Sequence, residues 1–319
     1  MITYILLILG FALLIKGADY LVKGASSMAK ILKVSDLIIG LTIVSFGTSM
    51  PEMVVNIFAS AKGNSEIAIG NIIGSNIFNI LVILGVSSIV SPLVVTKRTV
   101  WIEIPLTLFA ALMLGLLAND YIFTKSGFHG LTRKDGLLLL FFLAVFIYYI
   151  YHVARKEKNC VISSVTQPFS ISKSILAFAA GLAGLSLGAK LVVDSAVSLA
   201  EKLEVSQSLI ALTIVAAGTG LPELATSAIA AYRKNSDIAV GNIVGSNILN
   251  IFLVLGISSS IKHIPLQSRN NIDIGVAVLA SLILFAVMFL GKKHILDRWE
   301  GFIFVTIYVI YTVFLIIQG

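Results

Sequence analysis

Two hexapeptides 171 positions apart, Gly47-Thr48-Ser49-Met50-Pro51-Glu52 and Gly218-Thr219-Gly220-Leu221-Pro222-Glu223, each place a carboxylate and a helix-breaking proline inside an apolar stretch. The chain around them leaves little choice of solvent. Its 58% hydrophobic and 12% charged residues depart from the roughly 45–50% and about 25% of soluble domains. Apolar runs of about 20 residues suit helices crossing a hydrocarbon core about 30 Å thick, and they do not alternate polar and apolar as transmembrane β-strands do. A carboxylate in that setting costs several kcal/mol unless it faces a polar cavity or a partner. Glu52 and Glu223 at matched positions therefore read as a site.

Apolar runs and the polar breaks between them predict ten spans, over residues 2–23, 36–61, 67–91, 100–118, 135–154, 172–197, 207–231, 238–261, 272–291 and 299–317. The longest break separates five spans from five and predicts a first repeat at 1–154, a linker at 155–171 and a second repeat at 172–319. The halves match: Ile67–Ile80 agrees with Ile238–Ile251 at 11 of 14 positions, and Ile39–Glu52 with Ile210–Glu223 at 9 of 14, both at the offset of 171. Gly17-Ala18 and Gly188-Ala189 keep that offset, and Asp135-Gly136 has a counterpart in Glu300-Gly301. An odd number of spans per half makes the second half enter from the opposite side. The expected fold is an all-α integral membrane protein whose ten transmembrane helices form two inverted five-helix repeats, with Glu52 and Glu223 at a shared site near the midplane.

The formal charge of +7 does not point to nucleic acid, since the charges sit in the breaks and form no basic block. With the N-terminus outside, the inside breaks hold 14 Lys and Arg and the outside breaks 7, so both termini are expected to be extracellular. Cys160 stands alone, which excludes an intrachain disulfide, and the 4 His have no metal-ligand spacing. Met1-Ile2-Thr3-Tyr4 lacks the basic start of a signal peptide and reads as the first span. Without His-Glu-x-x-His, an intramembrane Asp pair or a Ser-His combination, neither an enzyme nor a cofactor is expected. Glu103 and Glu300 fall at span edges, where solvation is expected. Lys16 with Asp19, and Lys190 with Asp194, read as ion pairs or snorkelling side chains near helix ends, and Trp101 and Trp299 as interfacial anchors.

Pro51 donates no backbone hydrogen bond and displaces the carbonyl four residues back, so the helix is expected to open around Gly47 and Thr48. Freed carbonyl oxygens in a membrane need protein, water or an ion. Thr48 and Glu52 share a helix face, and Pro222 repeats the arrangement for Thr219 and Glu223. Two carboxylates with hard oxygens suit Ca2+, which takes about 6–8 oxygen ligands in flexible geometry. Na+ accepts the same donors, and protons can occupy the Glu pair. A second motif, Gly70-Asn71-Ile72-Ile73-Gly74-Ser75-Asn76-Ile77-Phe78-Asn79, recurs as Gly241-Asn242-Ile243-Val244-Gly245-Ser246-Asn247-Ile248-Leu249-Asn250. Ser75 with Asn79, and Ser246 with Asn250, each offer two neutral oxygens on one face. The four glycines are expected to serve close helix packing, and the Asn residues to line the site, because unpaired amides in hydrocarbon are costly.

These paired motifs resemble the α-repeats of the cation/Ca2+ exchanger superfamily, specifically its prokaryotic Na+/Ca2+ exchanger branch, and the resemblance extends over all the expected spans. It implies an exchanger whose second, third, seventh and eighth helices hold four ion sites, with the first and sixth helices sliding across that core. Carried onto this sequence, it implies that Glu52 and Glu223, with the backbone oxygens of Thr48 and Thr219, bind Ca2+. Ser45, Ser49, Ser75, Ala216, Ser246 and the same Glu pair would supply the Na+ sites, and Asn79 and Asn250 would line the central position. The implied activity is antiport of Ca2+ against Na+ by alternating access, by a monomer crossing the lipid bilayer of a cell membrane many times. Gly-Ala at 17–18 and at 188–189 fits a helix that slides, and also simple packing.

Two positions depart from the family pattern. Gly220 stands where the family has Ser in both repeats, which keeps Ca2+/H+ exchange as the alternative. Asn250 stands where many relatives, K+-dependent exchangers included, have Asp, so the site resembles that of K+-independent members. A cation channel is the alternative of a different class, and it predicts flux without counter-ion dependence.

Overall fold

The computed structural model describes residues 2–61, 65–119, 129–157, 169–202 and 216–318. Helices make up most of it: α1 (Ile2–Leu32), α2 (Asp36–Thr48), α3 (Met50–Ala61), α4 (residues 65–90), α5 (Thr99–Ala118), α6 (Arg133–Glu157), α7 (Ile171–Lys202), α8 (Ala216–Thr219), α9 (Leu221–Tyr232), α10 (Ser236–Ile261), α11 (Ser268–Val287) and α12 (Arg298–Gln318). Among the described residues, 8 helices are long and apolar enough to cross a membrane, or 9 when α2 and α3 count as one bent span. The expected span at 207–231 falls partly on 203–215, outside the described residues, as does most of the expected linker.

The expected span at 36–61 is two helices meeting at 48°, broken at Ser49. The expected spans at 2–23 and 172–197 run on to Leu32 and Lys202, giving helices of 31 and 32 residues. At about 1.5 Å per residue both are longer than a hydrocarbon core of about 30 Å is thick. Lys23 does not end α1, because its ammonium pairs with Asp19 at 2.9 Å. Asp19 also meets the Arg233 guanidinium, which tethers α1 to the end of α9, so its partners are Lys23 and Arg233 rather than Lys16.

α1 and α7 run antiparallel and touch backbone to backbone. A Cβ on Gly10 would lie 3.1 Å from the Gly188 carbonyl, one on Gly17 2.9 Å from that of Gly181, and one on Gly24 2.8 Å from that of Ser174. Heptad spacing keeps the small residues on one seam. Gly17 and Gly188 therefore serve the contact between these two helices.

The centre of the bundle is α10, 94% of whose span is buried, followed by α4 at 67%, against 17–39% for the other spanning helices. Each widens into a π-helical stretch, at Asn79–Leu84 and Asn250–Leu255, matched positions that both open on a motif asparagine. Two short antiparallel ribbons interleave the halves: β1 (Leu93–Val94) pairs with β4 (Ile295–Leu296), and β2 (Gly130–Leu131) with β3 (Ile264–Pro265).

Glu103 and Glu300, expected to be solvated, are 0% and 1% exposed. Glu103 accepts hydrogen bonds from Arg98 Nε at 3.1 Å and the Tyr149 hydroxyl at 2.6 Å, so its charge has partners inside the protein. Glu300 accepts from the Asp297 backbone N–H at 2.7 Å, capping the first turn of α12. Trp101 and Trp299 keep 55% and 53% exposure on the outer surface, consistent with an interfacial position.

Candidate functional site

Glu52 and Glu223 each sit in the first turn of the helix that follows a break, and each is 2% exposed. The breaks have the same shape. Ser49 has φ −82° and ψ 2°, and Gly220 has φ −83° and ψ 0°. This conformation is open to any L-residue, so the glycine at 220 is not demanded by the backbone. The proline after each break lacks an N–H, which a helix start tolerates.

The two breaks differ in side-chain chemistry. Ser49 Oγ donates to Glu223 Oε1 at 3.0 Å and lies 2.9 Å from Ser246 Oγ, so a hydroxyl of the first repeat serves a carboxylate of the second. Gly220 has no side chain to return the contact, and Glu52 Oε2 lacks a hydrogen-bond partner among the described residues. Thr48, one residue before the break, donates to Asn242 Oδ1 at 3.0 Å, and Asn242 Nδ2 donates to Ser227 Oγ at 3.0 Å.

Beside the carboxylates, four asparagines of α4 and α10 close a reciprocal cluster. Asn79 Nδ2 donates to Asn247 Oδ1 at 2.8 Å, and Asn250 Nδ2 donates to Asn76 Oδ1 at 3.0 Å. Asn76 and Asn247 each donate to the other's backbone carbonyl, at 3.2 and 3.3 Å. Exchanging the repeats maps this pattern onto itself. Their amide hydrogens thus hold the helices together, while Asn250 Oδ1 is buried without a partner.

Buried polar atoms without a hydrogen-bond partner occur at several places among the described residues, the hydroxyls of Ser60, Ser87, Thr226 and Ser258 included, and three of them belong to the repeated motifs. Glu52 Oε2, Glu223 Oε2 and Asn250 Oδ1 are all acceptors, buried and without a donor among the described residues. Such groups are costly in a folded protein unless something electropositive meets them.

The other expected site residues are placed unevenly. Ser45 is fully buried; its hydroxyl donates to the Thr42 carbonyl at 3.1 Å and packs against Gly245, while its own carbonyl accepts the Ser49 N–H at 3.0 Å and the Thr48 hydroxyl at 3.4 Å. Ser75 lines a cavity with Gly220. Thr219 ends α8, the short helix that Ala216 begins. Gly241 and Gly245 pack on Leu37, Gly40 and Leu41 of α2 as close-contact glycines, whereas no described atom lies within 4 Å of a Cβ built on Gly74. Asn242, one of the motif asparagines expected to line the site, receives the Thr48 hydroxyl, whereas Ser227, which its amide reaches, is not among the expected site residues. Asn56 of the first repeat corresponds to Ser227, so comparison of the repeats hides it.

A family model described as sodium/calcium exchanger protein matches the chain twice, over residues 2–152 and 173–317. The sodium/calcium exchanger MaX1 of Methanosarcina acetivorans is 30% identical over 345 residues, covering 98% of each chain. The inner membrane protein YrbG of Escherichia coli is 36% identical over 273 residues, covering 82% of this chain and 81% of the relative. Among solved structures, the sodium-calcium exchanger NCX_Mj soaked with zero Na+ and Ca2+ superposes with a TM-score of 0.80 at 34% identity, covering 98% of both chains.

Proposed function

Because the chain belongs to the sodium/calcium exchanger family, we propose that it is a K+-independent antiporter exchanging Ca2+ for Na+ across a cell membrane. The architecture of this reading is ten helices in two inverted five-helix repeats, 1–154 and 172–319, joined by a linker and working as a monomer with both termini extracellular. Glu52 and Glu223, with the backbone oxygens of Thr48 and Thr219, take Ca2+. Ser45, Ser49, Ser75, Ala216 and Ser246 share the Glu pair with Na+, beside Asn79 and Asn250.

The observation that carries this reading is the set of unpaired buried acceptors, Glu52 Oε2, Glu223 Oε2 and Asn250 Oδ1. Two carboxylates and neutral oxygens make a hard-donor set of charge near −2, which a Ca2+ ion neutralises. Several Na+ do the same. An empty pair is too costly to bury in an occluded state, so only a loaded site lets the protein switch faces, and exchange follows. Asn at both 79 and 250 leaves no third carboxylate at the repeated motif positions, which supports K+-independence.

Gly220 supports a second reading. Without the hydroxyl that Ser49 gives Glu223, Glu52 is the carboxylate better suited to taking a proton, and Ca2+/H+ exchange uses the same fold. The deciding experiment is radiolabelled Ca2+ uptake into proteoliposomes, driven in one arm by an outward Na+ gradient and in the other by a pH gradient. Uptake in the Na+ arm that needs both Glu52 and Glu223 is expected. Uptake in the pH arm alone overturns Na+ coupling, and Ca2+ flux needing neither counter-ion points to a channel.

A further inference from the structure

A cavity of about 160 Å3 reaches Ser75 and Gly220 of the site, and among the described residues its walls also include Asn71, Asp273, Tyr308 and Tyr311. Apart from Gly220, these come from α4, α11 and α12. We propose that this cavity is an accessory site for a hydrated alkali cation, Na+ in the exchange reading on which this inference rests, with Asp273 as its anionic group.

The position of Asp273 has a counterpart that behaves differently. Arg98 and Arg269 are 171 residues apart, whereas Glu103 and Asp273 are 170 apart. The π-helical stretch Thr99–Glu103 in α5 absorbs the extra residue, as such bulges do. Both carboxylates accept a tyrosine hydroxyl at 2.6 Å from the corresponding helix, Tyr149 for Glu103 and Tyr311 for Asp273. Glu103 is sealed at 0% exposure beside Arg98. Asp273 instead forms part of a cavity wall that also holds Ser75 and Gly220.

The chemistry selects the ligand. One carboxylate balances one positive charge, and Ser75, Asn71 and the tyrosine hydroxyls add neutral oxygens. The volume is far larger than a bare ion needs and leaves room for several waters. A cation there keeps most of its hydration, which disfavours tight divalent binding. The space also reaches Gly220, the residue that lacks the hydroxyl found at Ser49, so a cation waiting in the cavity borders the second helix break.

The test uses the full-length protein in nanodiscs with Glu52→Gln and Glu223→Gln, which removes the central pair of charges, and reads Na+ binding by sodium NMR relaxation. Residual Na+ binding is expected, weakened about tenfold or more by Asp273→Asn, preserved by Asp273→Glu and reduced by Tyr311→Phe, which keeps the carboxylate. Binding that is absent, or equal with and without Asp273, overturns the accessory site, as when a neighbouring guanidinium already neutralises that carboxylate. Na+-driven Ca2+ uptake by the wild-type protein is measured separately. Its failure overturns the antiport reading, and Asp273-dependent Na+ binding then still establishes the site.

Discussion

The hydroxyl of Ser49 lies 3.0 Å from Oε1 of Glu223, joining the break of one repeat to the carboxylate of the other. The reverse contact, from residue 220 to Glu52, is missing because residue 220 is glycine. An internally duplicated site is thus chemically lopsided while its backbone is not, since Ser49 and Gly220 share their φ and ψ to within a few degrees.

Gly220→Ser should therefore be accepted without backbone strain and should supply Glu52 with the missing donor or ligand oxygen. In proteoliposomes the Na+ concentration for half-maximal exchange is expected to fall by about fivefold, the equivalent of roughly 1 kcal/mol for one added polar contact. Ser49→Ala should act in the opposite direction, since it removes a hydrogen bond to a buried carboxylate worth about 1.5–3 kcal/mol. An unchanged Na+ dependence in both variants would show that these positions do not touch the coupling ion.

Glu52→Gln and Glu223→Gln should each abolish Ca2+ uptake while leaving the fold intact. Without Ca2+, either variant is expected to melt no lower than the wild type, because a neutral amide replaces a buried charge that has no cation beside it. Added Ca2+ should raise the melting temperature of the wild type only, since a ligand at a hundredfold its Kd stabilises by about 2.7 kcal/mol. Equal Ca2+ stabilisation of wild type and variants would remove the Glu pair from the site.

At the α1–α7 seam, Gly181→Ala should be destabilising by about 1–3 kcal/mol through overpacking, because its Cβ would stand 2.6 Å from the Leu21 backbone nitrogen. Gly275→Ala is the control, with no described atom within 4 Å of the added carbon. Melting curves in detergent should separate the two, and equal melting temperatures would contradict the close contact.

Breaking the Glu103 cluster should be costlier at the cation than at the phenol. Arg98→Gln strands a carboxylate that is 0% exposed, for which about 3–5 kcal/mol is expected. Tyr149→Phe removes one hydrogen bond to a charged group, about 1.5–3 kcal/mol. The order of the two melting temperatures checks this, and the reverse order would mean that Arg98 is not the main partner of Glu103.

How much of this was readable in advance follows from where each partner lies. Glu52 and Glu223 stood out because a carboxylate in an apolar run is conspicuous, and Pro51 announced the break that the structure puts at Ser49. The Asn76–Asn250 and Asn79–Asn247 bonds were not readable, since they join residues 174 and 168 positions apart. Glu103 was misjudged for the same reason, because Tyr149 lies 46 residues away on another helix.

Local chemistry along the chain was enough for the membrane class, the duplication, the helix breaks and the pair of acidic residues. Each depends only on nearby composition or on a comparison of one stretch with another. Packing across the bundle decided which acceptors go unpaired, that α1 and α7 meet along their glycines, and that Asp273 lines a cavity while Glu103 is sealed. Those outcomes depend on distances between helices remote in sequence, and burial and hydrogen-bond geometry exist only once the helices are side by side.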